Sequence, residues 1–344
     1  MGASCPLRLP RVSAWMRRLL CLLLAPAASG FDLRLPTDND ALLRGDGPGY
    51  FQFVDRDFEG VKSTPWEGGQ FGFVRDARRV AGGIAFARFH EGLDVKPLQR
   101  DAAGNPLDEV RAILPGRVVH TSAEAGRSNY GRYVVVEHTL PEGPFYSLYA
   151  HLGTIAVSVD DRLDAGQKLG IMGFTGSGID RRRSHLHVEL NLLLSERFPE
   201  WHAEFFRTPN RHGLYNGLNL LGLDLQSLYL QRQKNPGLGL ADFLRTQEAY
   251  FEITVPGSAR MELIERYPWL GLASRGDAPS WVLRCTRWGF PVAVRPGTRA
   301  VATGVATWVK DDPMPHYYNT RGLLNNSGQI TVEGLRFARL LCGF

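Results

Sequence analysis

The sequence predicts a mainly β protein, an antiparallel-sheet domain followed by an α+β region, and three observations predict it. Between residues 111 and 190, short apolar runs alternate with Gly, Pro and Asp, which is the punctuation of strands and turns. Ahead of them, residues 32–87 are rich in Gly and aromatics, with extended pieces at 50–54 and 70–74. Behind them, residues 225–249 carry helical stretches interrupted at Pro236 and Gly237, and residues 250–344 mix strand-like runs with a final helix near 332–341. The chain has 344 residues, 44% of them hydrophobic and 22% charged, enough for a sizeable core in one or two domains.

The N-terminus stands apart from that core. Arg8, Arg11, Arg17 and Arg18 precede an apolar run at 19–24 and a small-residue stretch at 25–30, the layout of a secretory signal peptide. The expectation is a leader over residues 1–29, cleaved near Ser29, and a periplasmic or secreted protein. The apolar run falls short of the roughly 20 residues a membrane span needs, so no span is expected after leader removal. Cys21 is a poor lipoprotein site, because Arg18 stands where a small or branched apolar residue is wanted. The leader holds four Arg and no acid, so its removal takes the formal charge from +5 to +1, and no nucleic-acid partner is expected. The mature chain keeps Cys285 and Cys342, either a disulfide or two free thiols packed as small apolar residues.

Within the β part, strands are expected at 117–120, 133–138, 145–152, 169–172 and 184–190. Two turn segments, 113–119 and 163–169, each place a Gly between apolar pieces, as a weakly duplicated sheet would. Residues 191–223, with Gly213, Gly217 and Gly222, read as loop. The domain reading is a β-rich N-terminal segment at 30–84, a catalytic domain at 85–224 and an accessory α+β region of unknown role at 225–344.

Five polar residues on the β part suggest one zinc site: His90, Asp94, His151, His185 and His187. Two imidazoles and a carboxylate suffice to hold a catalytic zinc, which leaves two histidines to handle protons. Period-two alternation in 184–190 sends His185, His187 and Glu189 to one face and Leu186, Val188 and Leu190 to the other. The strand ending at His151 aligns Phe145, Ser147, Tyr149 and His151 by the same rule. In a straight strand, His90 and Asp94 would stand about 13 Å apart, so a bend is required, and Gly92 can supply it. Glu189 is open between orienting a ligand histidine and forming an ordinary salt bridge. His120, His138, His202, His212 and His316 are not expected to bind the metal.

Taken in order, HEGLD, SNYGRYVVVEH, YSLYAHL, GQKLGIMGFTGSG and HLHVEL resemble the lysostaphin- and LytM-like zinc metallopeptidases that cut peptide cross-links in bacterial cell walls. The resemblance covers roughly residues 85–195. It implies a duplicated-hybrid-motif-like antiparallel fold, one zinc ion per chain, and a peptidoglycan peptide as substrate. It further implies that His90, Asp94 and His187 bind zinc, leaving a net charge of +1 and an open position, while His151 and His185 flank the attacking water. Which of these two is the base stays open, as do the bond cleaved and the oligomeric state.

Departures from the family pattern concern the rim of the site. A Tyr often stands six residues before the first ligand, where this chain has Ile84; Tyr130 or Tyr149 is a candidate substitute. The link before HLH is replaced by residues 177–184, whose Arg181, Arg182 and Arg183 are either solvated or available to stem-peptide carboxylates. The alternative function is a non-hydrolytic wall-binding protein or hydrolase activator on the same fold. Degenerate members of that kind lose metal ligands, whereas all five positions are kept here. A phosphotransfer carrier using His151 and His185 would have to be cytoplasmic, which the leader argues against.

Overall fold

The structure, a computed structural model, describes residues 1–2, 31–257, 261–271 and 278–343. Beyond its first two residues, the expected leader lies outside the described residues. Among the described residues, no helix is long and apolar enough to cross a membrane.

The chain starts with a short helix α1 (Gly47–Tyr50) and two hairpins, β1 (Arg56–Phe58) with β2 (Val61–Ser63) and β3 (Gly72–Val80) with β4 (Gly83–His90). The central part then adds β5 (Leu93–Val95), β6 (Glu109–Arg111), β7 (Gly116–Ser122), β8 (Tyr133–Leu140), β9 (Gly143–Ala150), β10 (Leu152–Ile155), β11 (Arg162–Leu163), β12 (Lys168–Met172) and β13 (Leu186–Leu193). They are followed by α2 (Phe198–Phe205) and β14 (Leu220–Gly222). The main sheet runs β11-β7-β8-β9-β13-β14, with β5 also paired to β13, and a smaller sheet runs β10-β12-β6. Every pairing is antiparallel.

Alternation decides which face of the main sheet is core. Val134, Val136, Phe145, Tyr149, Leu186, Val188 and Leu190 pack with Val110, Leu152, Leu169 and Met172 of the smaller sheet in one buried cluster. The opposite parity, including Tyr133, Val135, Tyr146, Leu148 and Ala150, forms a second cluster with Leu214 and Tyr215 packed over it. The two similar turn segments lie together: Ala112 N–H donates to Gln167 O (2.9 Å) and Gly166 N–H to Ala112 O (2.8 Å).

Residues 191–223 are more ordered than their glycines suggest. β13 runs on to Leu193 and is paired with β14, while α2 opens on a proline in its first turn and buries Phe198, Trp201 and His202. The C-terminal region holds α3 (Leu225–Lys234), α4 (Leu240–Arg245), β15 (Phe251–Pro256), α5 (Glu262–Arg266), β16 (Ser280–Cys285), β17 (Pro291–Gly297), β18 (Val305–Val309), α6 (His316–Asn319) and α7 (Val332–Cys342). Its sheet is ordered β17-β16-β15-β18. Its buried residues, among them Leu228, Phe243, Phe251 and Leu283, join the same cluster as the main sheet. Apolar burial therefore ties the C-terminal region to the central part. Cys285 and Cys342 are free thiols, not a disulfide.

Candidate metal centre and catalytic cleft

The five polar residues come from four neighbouring pieces of chain. His90 ends β4 and Asp94 lies on β5; between them Glu91 and Gly92 make the bend. At Gly92 a side chain has no room, since a Cβ there would run into the Val188 carbonyl oxygen and stand 2.9 Å from Glu189 Cγ. Register then places Asp94 opposite His187 on β13, and His187 opposite Ala150 on β9. Gly92→Ala is expected to destabilise the chain by ~2 kcal/mol and to weaken divalent-metal binding, because β5 must move off β13. Urea unfolding and metal titration check this; wild-type values in both would show the close approach to be unimportant.

His151 reaches the cleft by a different route from the one alternation suggests. Phe145 and Tyr149 face the main core, with Val188 directly opposite Tyr149, whereas the cleft face carries Ala150 and His187. Strict parity would bury His151 on the core side. The chain instead leaves β9 at His151 with a φ of +62°, a left-handed conformation that is strained for a residue with a side chain, and this turns the imidazole to the other face. Its backbone N–H donates to Tyr130 O (2.9 Å), which fixes the turn.

Hydrogen bonds set which ring nitrogen of each histidine is available. His90 Nδ1–H donates to Gln70 O (2.7 Å), leaving Nε2 3.1 Å from Asp94 Oδ1 and 3.0 Å from His187 Nδ1. His187 Nε2 bonds Glu189 Oε1 (2.7 Å), so its Nδ1 faces Asp94 Oδ1 at 2.9 Å. Thus Glu189 orients His187, and is itself held by the Tyr130 hydroxyl (3.1 Å) and Asn191 Nδ2 (3.0 Å). His90, Asp94 and His187 each offer one ligand atom within 4.8 Å of the others, a group that can share one ion. Beside them, His151 Nδ1–H donates to Thr175 O (2.9 Å) and His185 Nδ1–H to Arg183 O (2.6 Å), so each ring presents its Nε2 to the site. Their rings lie 4.7 Å apart, and His185 Nε2 is 3.4 Å from Asp94 Oδ1.

Burial and charge dispose these groups for their parts. Asp94, 3% exposed, would be raised by burial, but His185, His90 and Arg75 hold it ionised well below the usual carboxylate range. Burial, with Arg75 adding to it, keeps His90 below the ordinary histidine value and so neutral, the form a metal ligand needs. Burial also pushes His151 well down, and the neighbouring imidazoles His185 and His187 push the same way. At His187 burial is outweighed by the carboxylates of Asp94 and Glu189, which raise it to about 10. A field that holds a proton so firmly also favours a metal dication in its place.

The cluster opens into a cleft of about 770 Å³ whose walls include residues the motifs did not mark. Arg75 and Arg88 come from the β3–β4 hairpin, His212 from the segment before β14, and Arg321 from the C-terminal region. Arg75 is bonded to Asp94 Oδ2 and, through Nε, to Gly68 O (2.8 Å). His212 Nδ1 meets the Tyr133 hydroxyl (2.7 Å). Tyr130 lines the cleft, whereas the Tyr149 hydroxyl is buried under it accepting from Ile113 N–H (2.8 Å); Tyr130 is the tyrosine placed near the metal group. Ile84 is exposed on β4. Of the arginine loop, Arg182 pairs with Asp55 (2.6 Å), Arg181 donates to Ala103 O (2.9 Å), and Arg183 alone lines the cleft.

Comparison with known proteins places these segments. The description of peptidase family M23 matches residues 88–196, which include all five site residues. Over 90 residues the chain is 32% identical to Lipoprotein NlpD of Yersinia enterocolitica, covering 84% of that protein and 26% of this chain. The chain belongs to peptidase family M23. It is also similar to Murein hydrolase activator NlpD of Salmonella dublin, 33% identical over 90 residues. That match covers 26% of this chain and 22% of the relative, so the chain spans about a fifth of the length of the first curated relatives it matches. Among solved structures, the catalytic domain of lysostaphin from Staphylococcus simulans is 27% identical, covering 35% of this chain and 75% of that one with a TM-score of 0.24. The M23 protein EnpA from Enterococcus faecalis is 20% identical, with 40% and 79% covered and a TM-score of 0.26.

Proposed function

We propose that this M23 chain is a zinc-dependent endopeptidase that hydrolyses peptide bonds in the stem peptides or cross-links of peptidoglycan, acting in the periplasm or outside the cell. The observation that carries this reading is the convergence of His90 Nε2, Asp94 Oδ1 and His187 Nδ1 beside two further imidazoles that present Nε2 to the same cleft. The donor set fits zinc: two imidazole nitrogens and one carboxylate oxygen, with Glu189 behind His187 and the Gln70 carbonyl behind His90. When bound there, zinc supplies Lewis-acid activation of a water and polarises the scissile carbonyl.

The chain's own residues do the rest. His151, neutral at pH 7, accepts the proton of the attacking water at Nε2, its Nδ1–H anchored on Thr175 O. His185 Nε2, next to the Asp94 carboxylate, faces the developing oxyanion and donates to it as the imidazolium, since the Nδ1–H is held by Arg183 O. Tyr130 fixes Glu189 and so the ring plane of His187. Return of the proton to the departing amine completes the cycle.

A second reading, a murein hydrolase activator or wall-binding protein that does not itself cut, is favoured by two observations. Relatives at 33% identity bear the name murein hydrolase activator, and Arg75 places a guanidinium on the carboxylate that the metal needs. One digest separates the readings. Purified peptidoglycan incubated with the zinc-loaded chain is expected to release peptides with new amino termini, read by mass spectrometry, which also names the bond. Unchanged muropeptides, together with stimulation of a separate murein hydrolase, would replace the first reading by the second.

A further inference from the structure

The cleft carries more positive charge than its own carboxylates neutralise. Of the four arginines on its walls, Arg75 is bonded to Asp94, and Arg321 lies 3.4 Å from Glu91 Oε1 and over the Phe89 ring. The other two are less committed. Arg88 is exposed, and its side chain has no ion pair or hydrogen bond among the described residues. Arg183, 22% exposed, donates to Gly178 O (3.2 Å), and its Nε is buried without a hydrogen-bond partner. The nearest carboxylate to that Nε, Asp55 at 3.9 Å, is already bridged by Arg182 at 2.6 Å.

Both residues stand two positions before a site histidine. Arg88 precedes His90 on β4, where residues two apart share a face. Arg183 precedes His185 and is held by a single helical turn, with its backbone N–H donating to the Asp180 side chain at 2.9 Å. Arg88 also borders a second hollow of about 590 Å³, which shares Phe89, Glu91 and Arg321 with the main cleft and reaches Tyr317 and Tyr318 of the C-terminal region. Arg88 thus lies on the wall common to the cleft and this hollow, along which a chain bound at the histidines could continue.

We infer that Arg88 and Arg183 form a carboxylate-recognising subsite, which selects peptides bearing a free carboxylate next to the segment held at the metal centre. A guanidinium meets a carboxylate through two parallel N–H donors, and a partly enclosed cleft strengthens the contact. The inference rests on the reading of the cleft as a peptide site and does not require that the bound peptide be cut.

The test is calorimetric titration of the full chain with acetyl-L-Ala-γ-D-Glu-L-Lys-D-Ala carrying free carboxylates, and with the same peptide fully amidated. The free form is expected to bind about tenfold tighter or more, the worth of one charged hydrogen bond. R88A and R183A should each erode that preference, R88K should keep part of it, and thermal melting confirms that all three fold. Equal affinity of the wild-type chain for the two peptides, no binding of either, or a preference that survives both R88A and R183A would overturn the inference. Carboxylate-dependent binding without hydrolysis would uphold it while removing the peptidase proposal.

Discussion

Replacing His187 with alanine is expected to abolish stoichiometric zinc binding and to cut peptidoglycan hydrolysis by about 10³-fold or more. The effect is large because His187 touches both other candidate ligands and the carboxylate that orients it. Its Nδ1 stands 2.9 Å from Asp94 Oδ1 and 3.0 Å from His90 Nε2, and its Nε2 holds Glu189 at 2.7 Å. Without the ring, two buried carboxylates face a gap. Asp94 keeps Arg75, and Glu189 keeps Tyr130 and Asn191, so the fold should survive with reduced stability. Glu189→Gln is the graded companion: the donor set is intact, the orienting charge is lost, and zinc affinity should fall ~10- to 100-fold. Metal analysis after dialysis and the muropeptide digest read both variants. A full zinc equivalent in His187→Ala would mean that the ion, if any, is held elsewhere.

Much of this centre could be read from spacing alone, for a physical reason. On a strand buried on both faces, such as β13, alternation leaves little freedom, so His187 and Glu189 share a side in sequence and in space. The bend between His90 and Asp94 was equally legible, since an extended chain holds the two too far apart and Gly92 is the residue that tolerates the close approach to Val188. His151 marks the limit of that logic. Alternation holds only inside a strand, and a single left-handed residue at the strand end reverses the face.

The rest of the cleft had no local signal. Arg75, Arg88, His212 and Arg321 come from segments separated by up to hundreds of residues, and only the pairing of β3 with β4 and the packing of the C-terminal region bring them to one wall. Nothing in the sequence around Arg321 distinguishes it from a solvated arginine. The helix α2 did leave a trace: Pro199 stands in its first turn and Phe198, Trp201, His202 and Phe205 recur at helical spacing. The glycines that follow obscured it. For β14 the three residues Leu220–Gly222 are too few to show a period, and their strand character comes from pairing with Leu193, Leu192 and Asn191.

His151→Ala is expected to retain one zinc per chain yet lower kcat by about 10²- to 10⁴-fold, the usual worth of a positioned general base. The pH profile gives the sharper reading. Burial pushes the His151 pKa down, His185 and His187 push it the same way, and the opposing pull of Asp94 and the Thr175 carbonyl is weaker. With His151 as the proposed base the neutral ring is the active form, so the rate should fall as pH drops through a pKa below the 6.5 of a free histidine. Activity should therefore persist into mildly acidic solution. The profile must be recorded at saturating zinc, because His187 competes for the metal with a proton: despite burial, Asp94 and Glu189 raise its pKa to about 10, and uptake of the ion releases that proton. Apparent zinc affinity should accordingly climb with pH across the neutral range while kcat at saturation stays level. An acid limb at or above 6.5 in the wild-type chain, persisting unmoved in the residual activity of His151→Ala, would transfer the role of base to His185.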